Sequence, residues 1–153
     1  MKNKYFPDEE ITADDLFFIC YMIERVARKL QQHNCYVVNK IGKDELYSLL
    51  SNAQVLHSLN PLQVEKDWIT DYDLKPGQFN ITEVDKELCS TIPASLDMGK
   101  VYARLVDSLS KNYVDEIFNV YNSDICAVID NYNSSAYYEP SYVLARAYLN
   151  DGF

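Results

Sequence analysis

The sequence predicts an all-α protein, a compact single-domain bundle of about six or seven helices over residues 1–153. Three observations favour this fold class. Apolar residues recur at helical spacing, helix-start residues precede several of these segments, and the chain has only four Gly and five Pro. That content is low for a protein of many strands and tight turns. Residues 1–10 are a candidate flexible segment.

The first helix has the clearest pattern. Thr12 is a favourable N-cap, and Asp15 completes a capping box with a shorter acid than the usual Glu. The helix is apolar nearly all round, which predicts a central position in the domain. Its main apolar residues recur at helical spacing: Leu16, Ile19, Ile23, Val26 and Leu30.

The next segments predict two further helices. The stretch CYVVNKIG is expected to be a short extended piece or an irregular link that ends at Gly42. KDELYSLLSNAQVLHSL is a second amphipathic helix because its leucines share one face. NPLQVEKDWITDY is a third, with Asn60 as N-cap and Pro61 at the first helical position.

The second half of the chain continues this pattern. A short helix is expected from about Glu83 to Cys89, and SLDMGKVYARLVDSLS predicts a helix despite Gly99. NYVDEIFNVYNSDICAVIDNYNS predicts one long helix or two helices joined near Asn122 and Ser123.

The end of the chain predicts one more helix. It begins after Pro140 and runs to about Asn150. Gly152 is expected to adopt the left-handed conformation that ends a helix, with Phe153 folding back on the last turn.

The charge of the protein disfavours nucleic-acid binding. The net charge is −9, with seven basic and eight acidic side chains in residues 1–60 and seven and fifteen in residues 61–153. An acidic surface repels phosphate backbones and could complement a basic partner protein.

The cysteine pattern and the apolar runs predict a cytoplasmic protein. The four cysteines are irregularly spaced without a CxxC pair, which is typical of reduced thiols. The N-terminal residues lack a signal-peptide core, and the longest apolar run, LFFICYMI, is far too short to span a membrane.

No motif for a cofactor or a metal ion is present. The chain contains neither a P-loop nor G-x-G-x-x-G nor G-x-S-x-G, and its two histidines have no ligand-spaced partners. We therefore predict no cofactor and no metal site.

One spacing could carry catalysis. Arg28 and His33 form R-x4-H, a spacing found in a superfamily of small helical ribonucleases and nucleotide-modifying relatives. In those enzymes a His acts as general base and an Arg stabilises phosphate charge. The alternative is a basic helix end that interacts favourably with the helix dipole.

The C-terminal residues predict a contact surface. Tyrosine and arginine are enriched at protein interfaces because they bury a large area and keep a polar tip. The alternative is a half-buried shell where the last helix packs on its own domain. The predicted partner-binding residues are Tyr132, Tyr137, Tyr138, Tyr142, Arg146 and Tyr148.

The stretches FFICYMIERVARK and ELYSLLSNAQVLHSLNPLQVEKDW carry a resemblance. Residues 16–68 resemble a family of short bacterial helical proteins with a V-L-H motif, here Val55-Leu56-His57. The genes of that family neighbour ADP-ribosyltransferase-like genes, so the resemblance implies a toxin–antitoxin role. The spacing of Cys20 and Glu24 departs from the family pattern, and residues 69–153 have no counterpart.

Together these observations predict a non-enzymatic protein-binding or regulatory protein, such as an antitoxin-like partner of a bacterial toxin. Its expected partner is another protein, of basic character, and its oligomeric state is open. One alternative is a small helical ribonuclease or nucleotidyl-transfer enzyme that uses Arg28 and His33. The other is an acidic mimic of nucleic acid.

Overall fold

Two long helices pack against each other in the middle of the structure. The computed structural model describes all residues from 1 to 153. Helix α1 spans Ala13–Leu30, helix α6 spans Ser95–Leu109, and their mutual contact is the most extensive between any two helices. The predicted capping box of α1 is confirmed: Asp15 N donates to Thr12 Oγ1, and Thr12 N donates to Asp15 Oδ2.

The predicted all-α fold class is confirmed, with more helices than the sequence pattern indicated. Seven helices surround the α1–α6 pair, and two short 3₁₀ turns, Tyr132–Ser134 and Ala136–Tyr138, precede the last of them. The seven are α2 (Asn34–Ile41), α3 (Lys43–Ser51), α4 (Ala53–His57), α5 (Pro61–Asp71), α7 (Tyr113–Tyr121), α8 (Asp124–Asp130) and α9 (Ser141–Leu149).

Between residues 34 and 57 the structure differs from the prediction in two ways, and these explain part of the higher number of helices. The stretch predicted to be extended or irregular is helix α2, whose Val37, Val38 and Ile41 are buried; α2 packs on α1 and α7. Short helices owe most of their stability to such tertiary packing. The predicted second helix is divided at Asn52 into α3 and α4.

The helix expected from Glu83 to Cys89 does not form. This segment is a series of turns, and Asp85 N donates to the side chain of Asn133 instead of to a helical carbonyl. Just before it, Gly77 N and Phe79 N donate to the carbonyl oxygens at the end of α1. These long-range bonds hold residues 72–94 against the bundle as an irregular loop.

The C-terminal end differs from its prediction at the left-handed residue and at Phe153. Asp151, with φ 58°, takes the left-handed position that was expected of Gly152. Gly152 N then donates to Ala147 O, which satisfies a carbonyl of the last turn of α9. Phe153 was expected to fold back on the last turn; its side chain is 66% exposed, so most of it is not covered.

The core is one continuous cluster of 38 buried residues drawn from all parts of the chain. The N-terminal residues form no helix, but they are attached to this bundle. The Met1 ammonium donates to Ile11 O, and Asn3 is buried beside Ser51. None of the helices combines the length and the apolar composition that a bilayer crossing requires.

Gly99 sets the distance between α1 and α6. A Cβ atom at this position would lie 2.7 Å from Tyr21 Cα and 2.8 Å from Tyr21 N, closer than real Cβ contacts. The obstacle is backbone, so it cannot rotate away. The two helices approach this closely because residue 99 has no side chain.

We expect Gly99→Ala to lower the free energy of unfolding by about 1–2 kcal/mol, because overpacking costs about 1–3 kcal/mol and the better helix propensity of alanine recovers up to about 1 kcal/mol. Urea denaturation measures this difference. Arg104→Ala, at an exposed position of the same helix, should change stability by less than about 0.5 kcal/mol. A stabilised Gly99→Ala variant would show that the helices are not in close contact here.

Candidate functional site

The predicted C-terminal residues divide into a buried and an exposed group. Tyr132 and Tyr137 are buried in the domain, so their side chains are not part of the exposed surface. Their rings meet edge to face at 5.5 Å between centroids. Tyr148 is half-buried beside α7, where burial and the nearby Glu116 raise its pKa.

The exposed residues share one side of α9. Tyr142, Arg146 and Leu149 lie at helical spacing on the side opposite to Leu144 and Ala147, which pack into the core. Tyr142 is 63% exposed and Leu149 is 70% exposed. In the turn before the helix, Tyr138 is 74% exposed. We call Tyr138, Tyr142, Arg146 and Leu149 the α9 face.

Leu149 was not among the residues predicted from the sequence. Its spacing of seven from Tyr142 places both side chains on one helix face, and this signal was present in the sequence. The guanidinium carbon of Arg146 lies 6.0 Å from the ring centroid of Tyr142, and Arg146 forms no ion pair. Its charge therefore remains available to a binding partner.

The structure does not bring Arg28 and His33 into one cavity. Arg28 Nη2 donates to Tyr132 Oη and to Pro93 O, both at 2.8 Å, so this part of the guanidinium is held inside the protein. His33 is exposed at the start of α2 and stacks on Phe79 with 3.7 Å between ring centroids. The two side chains line different cavities.

A buried polar cluster joins four helices: α1, α2, α6 and α8. Asn34 Nδ2 donates to Glu24 Oε1 at 2.7 Å and to Asp130 Oδ2 at 3.1 Å. Asp130 Oδ1 also accepts the hydroxyl proton of Tyr102 at 2.6 Å. The guanidinium of Arg28 lies 4.0 Å from Glu24 Oε2. One amide thus links a carboxyl group of α1 to a carboxyl group of α8.

Burial raises the pKa of both carboxyl groups in this cluster. Removal from water disfavours the charged form. It raises the pKa of Glu24 to about 8, an effect that repulsion from Asp130 increases and that Arg28 and Asn34 oppose. Burial raises the pKa of Asp130 to about 6, opposed by hydrogen bonds from Tyr102, Cys126 and Asn34. The pair therefore holds a proton to higher pH than carboxyl groups in water do.

The sequence offered one weak signal for this cluster. Glu24 lies in the strongly apolar stretch of α1, where an acid needs a partner if the helix is central. Its partners are 10 and 106 residues away along the chain, and no local pattern joins them. No group of three or more His, Cys, Asp or Glu side chains has the arrangement of a metal site.

Comparisons of this chain with protein-family models, with curated proteins and with solved structures find no match. The fold and the geometry of these two regions, the α9 face and the buried cluster, are therefore the basis for a functional proposal.

The titration of Glu24 predicts the pH dependence of stability. Because its pKa is raised from 4.5 to about 8, the folded protein binds more protons than the unfolded chain between these values. Stability from this group is complete below pH 4.5 and is lost as the pH rises to 8. We expect Glu24→Gln to remove this loss and to be more stable than wild type at pH 8, by about 2–4 kcal/mol.

Urea denaturation at pH 5 and pH 8 measures this effect. Glu87→Gln, at an exposed position, is the matched control and should follow the wild-type pH dependence. If Glu24→Gln also follows it, the Glu24 carboxyl group is not titrating in this range in the folded protein.

Proposed function

We propose that this protein is a non-enzymatic partner-binding protein and that the α9 face contacts another protein. The observation that carries the proposal is the exposure of three large side chains on α9, whose opposite side is anchored in the core, together with Tyr138 in the turn before the helix. A large apolar side chain gains free energy when a partner removes it from water, and Tyr142 and Leu149 leave most of their area uncovered.

The chemistry of the α9 face suits a protein partner. Tyrosine and arginine are the residue types that contribute most at protein interfaces, because they combine a large area with a polar end. The helix presents them in a fixed arrangement, since Leu144 and Ala147 are buried on its other side. A preformed surface loses less conformational entropy on binding than a flexible tail.

The charge distribution favours a basic partner. Fifteen of the 23 acidic residues lie in residues 61–153, the part of the chain that contains α9. Complementary charge mainly speeds the encounter of two proteins, while buried anchors hold the complex. The resemblance of residues 16–68 to short bacterial proteins of toxin–antitoxin-like loci supports a bacterial toxin as this partner.

Photo-crosslinking in producing cells tests the location of the surface. A photoreactive amino acid at Tyr142 or at Leu149 should give the same adduct with one second protein. Val55 and Leu88 are matched controls, because they are also large, exposed apolar residues outside α9. Adducts of equal yield at all four positions would indicate nonspecific contact, and an adduct with the mass of two copies would indicate self-association instead.

Affinity for the crosslinked partner tests the energetic role of the α9 face. The double variant Tyr142→Ala, Leu149→Ala should raise the dissociation constant at least about tenfold, because truncation of interface anchors costs more than about 1 kcal/mol each. The control variant Val55→Ala, Leu88→Ala should leave it unchanged. Both variants should keep the wild-type melting temperature within a few degrees. An unchanged dissociation constant for the first variant would contradict the proposal.

A further inference from the structure

A second region of the molecule has the features of a small-molecule site. A cavity of about 350 Å³ lies between the start of α2, the loop residues 79–84, and the segment from the end of α7 through α8 to Tyr132. We call it the α2–α8 cavity. Its volume lies at the lower end of the range for small ligand pockets. None of its lining residues belongs to the α9 face.

Two buried polar groups that line this cavity lack partners. Asn34 and Tyr121 are each 1% exposed, yet Asn34 Oδ1 and Tyr121 Oη make no hydrogen bond within the protein. A buried polar atom without a partner destabilises the folded state. They mark incompletely satisfied polar packing at the wall of the cavity, although neither oxygen is itself exposed to the cavity.

The charges around the cavity favour a cation. Asp130 and Glu83 line it, whereas no Lys or Arg side chain does. Asp130 is only 8% exposed and accepts three hydrogen bonds, which leave one acceptor site of its carboxylate free. The nearest arginine, Arg28, points its Nη2 to Tyr132 and Pro93. A carboxylate of this kind repels anions and attracts organic cations.

Part of the remaining lining is apolar. Phe79 stacks on His33, and Ile81, Val84 and Tyr132 also line the cavity. Planar rings pack well on aromatic faces, and cations are attracted to them. The cavity does not provide the three or more His, Cys, Asp or Glu ligands that a metal ion needs, and its apolar residues cannot coordinate one.

We propose that the α2–α8 cavity binds a small planar organic cation that carries N–H donors, such as an amidinium or an aminated aromatic ring. The cation lies against the Phe79 side of the cavity. Its N–H groups donate to the carboxylate of Asp130, and Glu83 adds a second negative charge at the cavity. The binding is noncovalent.

Three probes of equal shape test the chemistry of this site. Benzamidinium, benzamide and benzoate differ in charge and in the number of N–H donors. Titration at pH 7, followed by NMR or calorimetry, should give a dissociation constant of about 10 mM or tighter for benzamidinium, as expected for nine non-hydrogen atoms. Benzamide should bind at least about tenfold more weakly, and benzoate should not bind. Equal affinity for all three, or tightest binding of benzoate, would overturn the proposal.

Two variants locate the binding without disturbing the buried cluster. Ala127 lines the cavity at an exposed position of α8. Ala127→Leu should block entry and abolish benzamidinium binding, whereas Ala13→Leu, at an exposed alanine outside the cavity, should not. Glu83→Gln should weaken benzamidinium two- to fivefold and leave benzamide unchanged. Benzamidinium binding that survives Ala127→Leu at wild-type affinity would place the site elsewhere.

Discussion

The two hydrogen bonds donated by the side-chain amide of Asn34 are the constraint on which much of the structure depends. This one side chain ties Glu24 of α1 to Asp130 of α8, and all three residues are buried. Two carboxyl groups taken out of water next to each other would repel if both were ionised. The amide, the Tyr102 hydroxyl and Arg28 make the arrangement tolerable by supplying donors and a positive charge.

The same arrangement explains why the cluster lies at the edge of a cavity. A well-packed core of apolar side chains can close around itself, but a group of polar atoms must have each donor and acceptor satisfied. Here Asn34 Oδ1 and Tyr121 Oη are left over, and both residues line the adjacent space. Asp130 also lines that space, so the fold places a carboxyl group of the cluster at the wall of the cavity.

The parts of the fold that could be predicted are those decided by neighbouring residues. The start of α1 follows from Thr12 and Asp15, which interact across one turn. Helix α2 could not be predicted in this way, since its two adjacent valines suit a strand equally well and only packing on α1 and α7 decides the matter. The helix expected near Glu83 failed for the related reason that Asn133, 48 residues away, takes the amide of Asp85.

The candidate sites show the same limit. The tyrosines of the C-terminal segment look alike in sequence, and only the tertiary structure separates the buried Tyr132 and Tyr137 from the exposed Tyr138 and Tyr142. Spacing along α9 was sufficient to align Tyr142 with Arg146. The buried cluster could hardly be predicted from the sequence, because Glu24 and Asp130 are 106 residues apart in the chain and no local pattern joins them.

The two proposed binding sites depend on different residues and different interactions, so they are independent of each other. The α9 face offers apolar area on a helix whose other side is fixed by Leu144 and Ala147, so its role depends on what it leaves uncovered. The α2–α8 cavity offers the carboxyl groups of Asp130 and Glu83 beside the ring of Phe79. Truncating Tyr142 or Leu149 leaves the Asn34 bonds intact, and filling the space beside Ala127 leaves the α9 face intact. The loss of one activity therefore carries no information about the other.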